Sequence, residues 1–400
     1  MAARARHRLA LALLAAAALG GLAGGCGSAY ELPTEIRGTS STAQQGTYQR
    51  IDTWRGMTNI QDILLTSGGE LFLVFQDPLT RTGQVRQYPQ SNKVPLSTTF
   101  PGLLNPTAIC SGANRVFVLD QGDSSAARND FRTVHPGSPD STCLYTAEHT
   151  ADVNRALLTI RGFSRPITNV AAYWHVREYL LDGTPVDGFT DTTFAWVSGV
   201  AADASGRVYV SGLIMYCRVD PYNDQIRTLE YRFRVRRYER GTGDRFVVDG
   251  PWRRDPTYVL LDGTGFGSAK DPRGMQWADP QGPALYFADR GNDQAQRFGD
   301  PAGAASSFKL DFGGSGPDSM QLSQPVDVAV DSAGYLYVVD AGNSRVLRYD
   351  PDGRFVQRVD WNVGEVLYPL TDPVAVAADN RQVYIANRGA GEVLRYRRRD

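Results

Sequence analysis

Six oxygen-bearing side chains, Asn59, Asn105, Ser198, Asp271, Gln324 and Asp372, recur just ahead of short runs of small and β-branched residues. Carboxylates and amides in such a set suit a hard cation such as calcium, which takes oxygen ligands. They suit turns equally well, because short polar side chains ahead of Pro106, Pro272, Pro325 and Pro373 can accept bonds from their own backbone. The histidines beyond residue 26, His135, His149 and His175, lack the tight spacing of a zinc site. There is no His-Glu-x-x-His, no Gly-x-Ser-x-Gly and no phosphate loop ending in Gly-Lys-Ser/Thr. Gly263, Gly265 and Gly267 do not open a helix and read as a loop, and Asp220 to Asp224 reads as a turn. No residue is therefore assigned a catalytic role.

The elements that must position these residues are short strands. Glycine at 41 positions, with 19 Tyr and 16 Phe, predicts many strands joined by tight turns. The clearest unit, Pro325 to Gly353, reads as three strands and an Asp-Pro-Asp-Gly hairpin turn, with a fourth strand from Arg354 to Asp360. The unit recurs six times, pinned by the pairs Leu71-Phe72, Val116-Phe117, Val208-Tyr209, Leu285-Tyr286, Leu336-Tyr337 and Val383-Tyr384. The expected fold is all-β, a six-bladed β-propeller of four-stranded antiparallel blades. The last unit has only three strands before Asp400, and Gly46 to Trp54 matches the fourth strand at Gly353 to Trp361 with a one-residue slip. The N-terminal strand is thus expected to close the ring.

Spacings of 45, 92, 77, 51 and 47 residues between the pinned aromatics place insertions at about 121–169 and 212–227. A seventh, degenerate blade around Cys143 to Tyr145 and Leu157 to Ile160 is the rival reading of the first. Both insertions fall between second and third strands, on the face where innermost strands begin. That decorated face is where a site is expected. Of the cysteines after Cys26, Cys110 lies toward the far end of an innermost strand, whereas Cys143 and Cys217 sit in the insertions. Cys143 with Cys217 is the expected disulfide. Asp120, Asp289, Asp340 and Asn387 recur at the ends of second strands, which predicts a structural role accepting bonds from turn amides. Arg297, Arg348 and Arg395 recur on third strands and are expected to pair with neighbouring blades or solvent.

The first 26 residues join a basic start, an apolar run from Leu9 to Leu22 and small residues up to Cys26, the order of a secretory signal. Leu22 to Cys26 resembles a bacterial lipoprotein processing site, although Ala23 stands where leucine is commoner. The alternative is ordinary cleavage nearby with an incidental cysteine. Residues 27–45 suit a flexible tether, and 46–400 form the propeller. The expected location is the cell envelope, lipid-anchored or periplasmic. A net charge of -1 over 400 residues, without a long basic block, argues against a nucleic-acid partner.

The segments 325–353 and 373–396 resemble NHL repeats, as does 271–298, and weaker copies cover 46–397. The resemblance implies a propeller, not a function. Some six-bladed NHL proteins are metal-dependent lyases of amidating pathways that use several histidines near the channel, a set this chain lacks. Two readings follow. One is a non-catalytic scaffold, expected to be a monomeric ring, presenting loops such as Asp130-Phe131-Arg132 and Tyr173-Trp174 to a protein or glycan. The other resembles the lactonase-type propellers, a calcium-dependent hydrolase or lyase with Asn59, Asn105, Asp271 and Asp372 as ligands.

Overall fold

The computed structural model describes residues 48–76, 83–90, 93–121, 174–191, 194–220, 223–241, 251–255, 258, 260–264, 268–299, 308–312, 321–360 and 370–399. The expected signal at 1–26 with Cys26, the tether at 27–45, most of the 121–169 insertion with its rival blade, His135, His149 and Cys143 lie outside the described residues.

The chain starts with β1 (Tyr48–Arg55) and then lays down six sheets in order. Blade 1 holds β2 (Ile60–Leu65), β3 (Leu71–Gln76) and β4 (Gly83–Tyr88), three strands among the described residues. Blade 2 holds β5 (Pro106–Gly112), β6 (Arg115–Gln121), β7 (Trp174–Leu180) and β8 (Pro185–Phe189). Blade 3 holds β9 (Phe194–Ala202), β10 (Val208–Asp220), β11 (Asn223–Arg240) and β12 (Trp252–Arg254). A short parallel ladder of β13 (Leu261–Asp262) and β14 (Ser268–Ala269) leads into blade 4. That blade comprises β15 (Pro272–Ala278), β16 (Ala284–Asp289), β17 (Gln294–Gly299) and β18 (Phe308–Phe312). Blade 5 comprises β19 (Pro325–Val330), β20 (Leu336–Asp340), β21 (Arg345–Tyr349) and β22 (Phe355–Arg358). Blade 6 comprises β23 (Pro373–Ala378), β24 (Gln382–Asn387) and β25 (Glu392–Arg398), and β1 completes it in the order β1-β25-β24-β23.

Second strands are apolar throughout because both of their faces are covered. Alternate side chains point to opposite neighbours. On β3, Leu71, Leu73 and Phe75 pack toward blade 6, whereas Phe72 and Val74 pack toward blade 2. The pinned aromatics Phe72, Phe117, Tyr209, Tyr286, Tyr337 and Tyr384 all face the following blade. The core is consequently six separate clusters, one in each seam between consecutive blades.

The closing strand pairs from Tyr48↔Arg398 to Arg55↔Glu392, and the one-residue slip appears as an irregularity between Arg50 and Asp52. Trp54 is fully buried, 5.6 Å from the Tyr88 ring and 6.2 Å from that of Tyr384. The Tyr48 hydroxyl meets that of Tyr337 at 2.6 Å, tying β1 to blade 5 as well.

The extra length at 212–227 is built as strand: β10 and β11 pair from Val208↔Tyr238 to Val219↔Arg227, and after an irregularity the hairpin ends with Asp220↔Asn223. The hairpin outruns β9, whose first residue Phe194 pairs with Ile214, so it projects past the face where innermost strands begin. Alternation along both strands lets them lengthen together, and the predicted turn at 220–224 falls at the tip.

Truncating Trp54 to Ala removes the side chain that fills the closing seam, and is expected to destabilise the ring by about 3–5 kcal/mol. Arg55→Ala, which removes an exposed side chain paired with the buried Glu392, should cost less, about 1 kcal/mol. Denaturant unfolding of both variants checks the contrast.

Candidate functional site at the channel

Five of the six predicted residues, Asn59, Asn105, Asp271, Gln324 and Asp372, immediately precede an innermost strand at the inlet end of the channel, whereas Ser198 lies inside β9. Four of them, Asn59, Asp271, Gln324 and Asp372, adopt left-handed backbone with φ of 61°, 57°, 49° and 69°. Asn and Asp tolerate this conformation better than most residues, which accounts for three of the four choices. Asn105 and Ser198 are not in this conformation.

The side chains of Asn105, Ser198, Asp271, Gln324 and Asp372 are already engaged. Both Asp271 oxygens accept from Arg273 Nε at 3.1 Å, and Arg290 Nη1 lies 3.3 Å from Oδ2. Arg290 also donates to Gln324 Oε1 at 3.0 Å. Arg388 donates to Asp372 at 2.7 Å and to Gln61 at 3.2 Å, while Asn105 Oδ1 accepts from Gln76. Ser198 donates to the Pro272 carbonyl at 2.6 Å, across to the next blade. Burial, then the neighbouring Arg273, pulls the Arg290 guanidinium below its ordinary range. Among the described residues no three His, Cys, Asp or Glu side chains gather as a metal group. The inlet presents fixed charges of both signs, an arrangement suited to polar recognition.

The recurring residues at the ends of second strands set this geometry. Asp120 accepts from the Leu104 and Asn105 amides at 3.0 and 2.6 Å. Asp289 accepts from Lys270 N at 2.7 Å, Asp340 from Ser323 N at 2.6 Å, and Asn387 from Thr371 N at 2.7 Å. Asn292 and Asn343, in the following turns, donate back to Asp289 and Asp340 at 2.7 and 2.9 Å. Asp289 has only neutral donors, and burial pushes its carboxyl up to about 7.

The third-strand arginines each lie over a tyrosine of their own blade, and Arg348 also meets the neighbouring blade, 5.7 Å from the Tyr48 ring of β1. Arg297, Arg348 and Arg395 lie over Tyr286, Tyr337 and Tyr384 at 5.7, 5.7 and 5.8 Å, each the cross-strand partner in the ladder. His175 lies on β7, where Nδ1 meets Thr190 Oγ1 at 2.7 Å. Burial, followed by Arg177, lowers its pKa to about 4 and keeps the imidazole neutral.

A channel cavity of about 820 Å³ runs from the middle of the innermost strands to their far ends, away from the decorated face. An adjoining cavity of about 550 Å³ opens beside it at the same outlet, sharing Thr66, Gln276 and Asp279. Asp62 and Asp327 line the deep part of the larger cavity, with Glu70, Asp203 and Asp279 nearer its rim. The sequence reading missed the first two, although an aspartate interrupting the apolar runs Ile60–Leu65 and Pro325–Val330 was a visible signal. Cys110 is a free, buried thiol in the cavity wall. Burial, with Asp62 beside it, pushes that thiol well up and leaves it unreactive. Cys217 lies on β10 in the projecting hairpin.

Residues 322–349 match the family model described as NHL repeat. No curated protein matches the chain. Among solved structures, it is similar to a protein of unknown function from Bacteroides thetaiotaomicron, with 13% identity and a TM-score of 0.50 over 89% of this chain and 73% of that one. It is also similar to a gluconolactonase from Xanthomonas campestris (11% identity, TM-score 0.45, 86% and 88% covered). A third likeness is to a virginiamycin B lyase from Staphylococcus aureus (9%, 0.41, 88% and 98%). At such identities the likeness extends to the fold alone.

Asp289→Asn keeps a carbonyl oxygen for the Lys270 amide, the arrangement blade 6 already uses with Asn387, and is expected to change stability by less than about 1 kcal/mol at pH 8. Asp289→Ala strands the buried donors and should cost about 3 kcal/mol. The wild-type carboxyl contributes stability present in acid and lost as pH rises toward 7, because its folded pKa is raised. Unfolding of the three proteins at pH 6 and pH 8 measures both effects.

Proposed function

We propose that this NHL-repeat six-bladed β-propeller protein is a non-catalytic binding scaffold, offering its inlet face to a protein or glycan partner from the cell envelope. The observation that carries this reading is the commitment of Asp271 to Arg273 and Arg290, and of Asp372 to Arg388. Carboxylates neutralised by guanidinium groups are poor cation ligands, whereas a rigid mosaic of paired charges and amides recognises polar surfaces. The β10–β11 hairpin, projecting past the same face, extends that surface away from the ring. Export with a lipid on Cys26 would hold the ring at a membrane through the 27–45 tether.

Thermal unfolding of the protein after EDTA treatment, and again with calcium restored, separates this reading from a calcium-dependent hydrolase or lyase. A specific metal held only by the folded ring must raise apparent stability by mass action. The scaffold reading expects equal melting temperatures. A reproducible calcium-dependent rise, abolished by Asp372→Ala, would replace it with the metal-dependent one. Deleting 121–168 should abolish capture of the partner while leaving ring melting unchanged. Cys26→Ser should move the protein from the membrane fraction to the soluble one.

A further inference from the structure

The six innermost strands, β2, β5, β9, β15, β19 and β23, carry just three charged side chains: Asp62, Arg273 and Asp327. Arg273 is occupied with Asp271 at the inlet. The two aspartates hold the same position in their strands, third from the start, where β5, β15 and β23 place Ala108, Gly274 and Ala375. Both line the large channel cavity, whose lining includes no Lys or Arg.

Each aspartate reaches sideways to the next blade. Asp62 Oδ1 accepts from its neighbour Ile63 N at 2.8 Å, and Oδ2 accepts from Ile109 N of blade 2 at 2.8 Å. Asp327 Oδ2 accepts from Val376 N of blade 6 at 2.7 Å. These amides belong to the free inner edges of their sheets, so the bonds stitch blade 1 to 2 and blade 5 to 6 at the channel wall. Blade 4 presses on the same spot, since a Cβ on Gly274 would lie 2.2 Å from Asp327 Oδ1.

We propose that Asp62 and Asp327 act as a proton-operated latch of the channel: the ring is most stable with the pair protonated, and loss of those protons places like negative charges in the channel wall that no cation balances and destabilises the ring there.

The surroundings offer nothing to balance that charge. On β5 the ionisable group facing Asp62 is Cys110, while β9 and β23 contribute none. Toward the outlet lie more acids, Glu70, Asp203 and Asp279. Behind the two strands, β3 has no ionisable group, and the tyrosines of β16, β20 and β24 point into the seams. Asp289 and Asp340 there face turn amides, and the latter also Arg345. Desolvation at the channel wall accordingly lifts Asp62, which is half-buried, to about 7, and lifts the buried Asp327 well up, with the Asp62 carboxylate adding to the rise. The amide bonds pull both back by less. In the unfolded chain an aspartate titrates near about 4. The folded ring therefore binds protons more tightly, and its stability falls as pH rises from about 4 through 7 and beyond while the pair ionises. The released protons pass to water.

The test is thermal unfolding of the full chain between pH 5.5 and 8.5 at fixed ionic strength, for wild type and for D62N/D327N, in which the single amide oxygen at each position can still accept the inter-blade bond from Ile109 or Val376. The expected result is a wild-type melting temperature that falls with pH, and a fall smaller by roughly 2–4 °C in the double variant. Asp289 contributes equally to both proteins and cancels. Parallel curves would overturn the latch. Should the double variant not fold, infrared spectroscopy of the wild type at pH 6 decides: a protonated carboxyl C=O band that diminishes in the single variant D62N supports the proposal, and absence of such a band rejects it.

Discussion

Every blade depends on its neighbours, because none has a core of its own. Leu71, Leu73 and Phe75 of β3 are dry only if blade 6 is in place, and Phe72 and Val74 only if blade 2 is. Hydrophobic burial thus acts around a circle, and a ring with one seam open exposes apolar faces on both sides of the gap. The burden of closing that circle falls on one eight-residue strand, β1, which supplies Trp54 to the seam between blades 6 and 1 and Tyr48 to the seam between 5 and 6. Its position as fourth strand of the last blade ties the two ends of the domain into one sheet.

Polar groups are arranged to serve the same circle. Asp120, Asp289, Asp340 and Asn387 fix the turns from which innermost strands start, and so set the spacing of the inlet. Gln276 pairs its amide with both the N–H and the C=O of Val330, imitating a strand partner across the gap between blades 4 and 5. Arg348 is buried among Tyr48, Tyr335 and Tyr337, where aromatic faces take the place of water around its charge. Charge is tolerated inside this fold where a partner in the same or an adjacent blade meets it, and the channel-lining aspartates, like Asp289, are met by amides rather than by a cation.

Much of this architecture was legible because repetition turns a weak local pattern into a strong one. Six aromatics at matching places fixed the blade count, and the resemblance of Gly46–Trp54 to Gly353–Trp361 revealed the closing strand. The inlet residues were found for the same reason: left-handed positions ahead of proline recur from blade to blade. What escaped was the pairing that repeats do not announce. Tyr286 and Arg297, Tyr337 and Arg348, and Tyr384 and Arg395 are each eleven residues apart, a signal in plain view whose meaning needed the strand register. Asp62 and Asp327 are 265 residues apart and occur in only two blades, so neither periodicity nor spacing joined them. The projecting hairpin was seen as extra length but not as strand, because spacing between anchors measures insertion without its conformation.

The direction in which β1 lies has a mechanical meaning. Its first residue, Tyr48, pairs with Arg398 at the end of β25, and pairing then proceeds inward to Arg55 and Glu392. Tension on the chain preceding Tyr48 would therefore load the outermost rungs first and could unzip the strand rung by rung, instead of shearing all its bonds together. A pull from that side would act on the strand that completes blade 6 and keeps the circle shut.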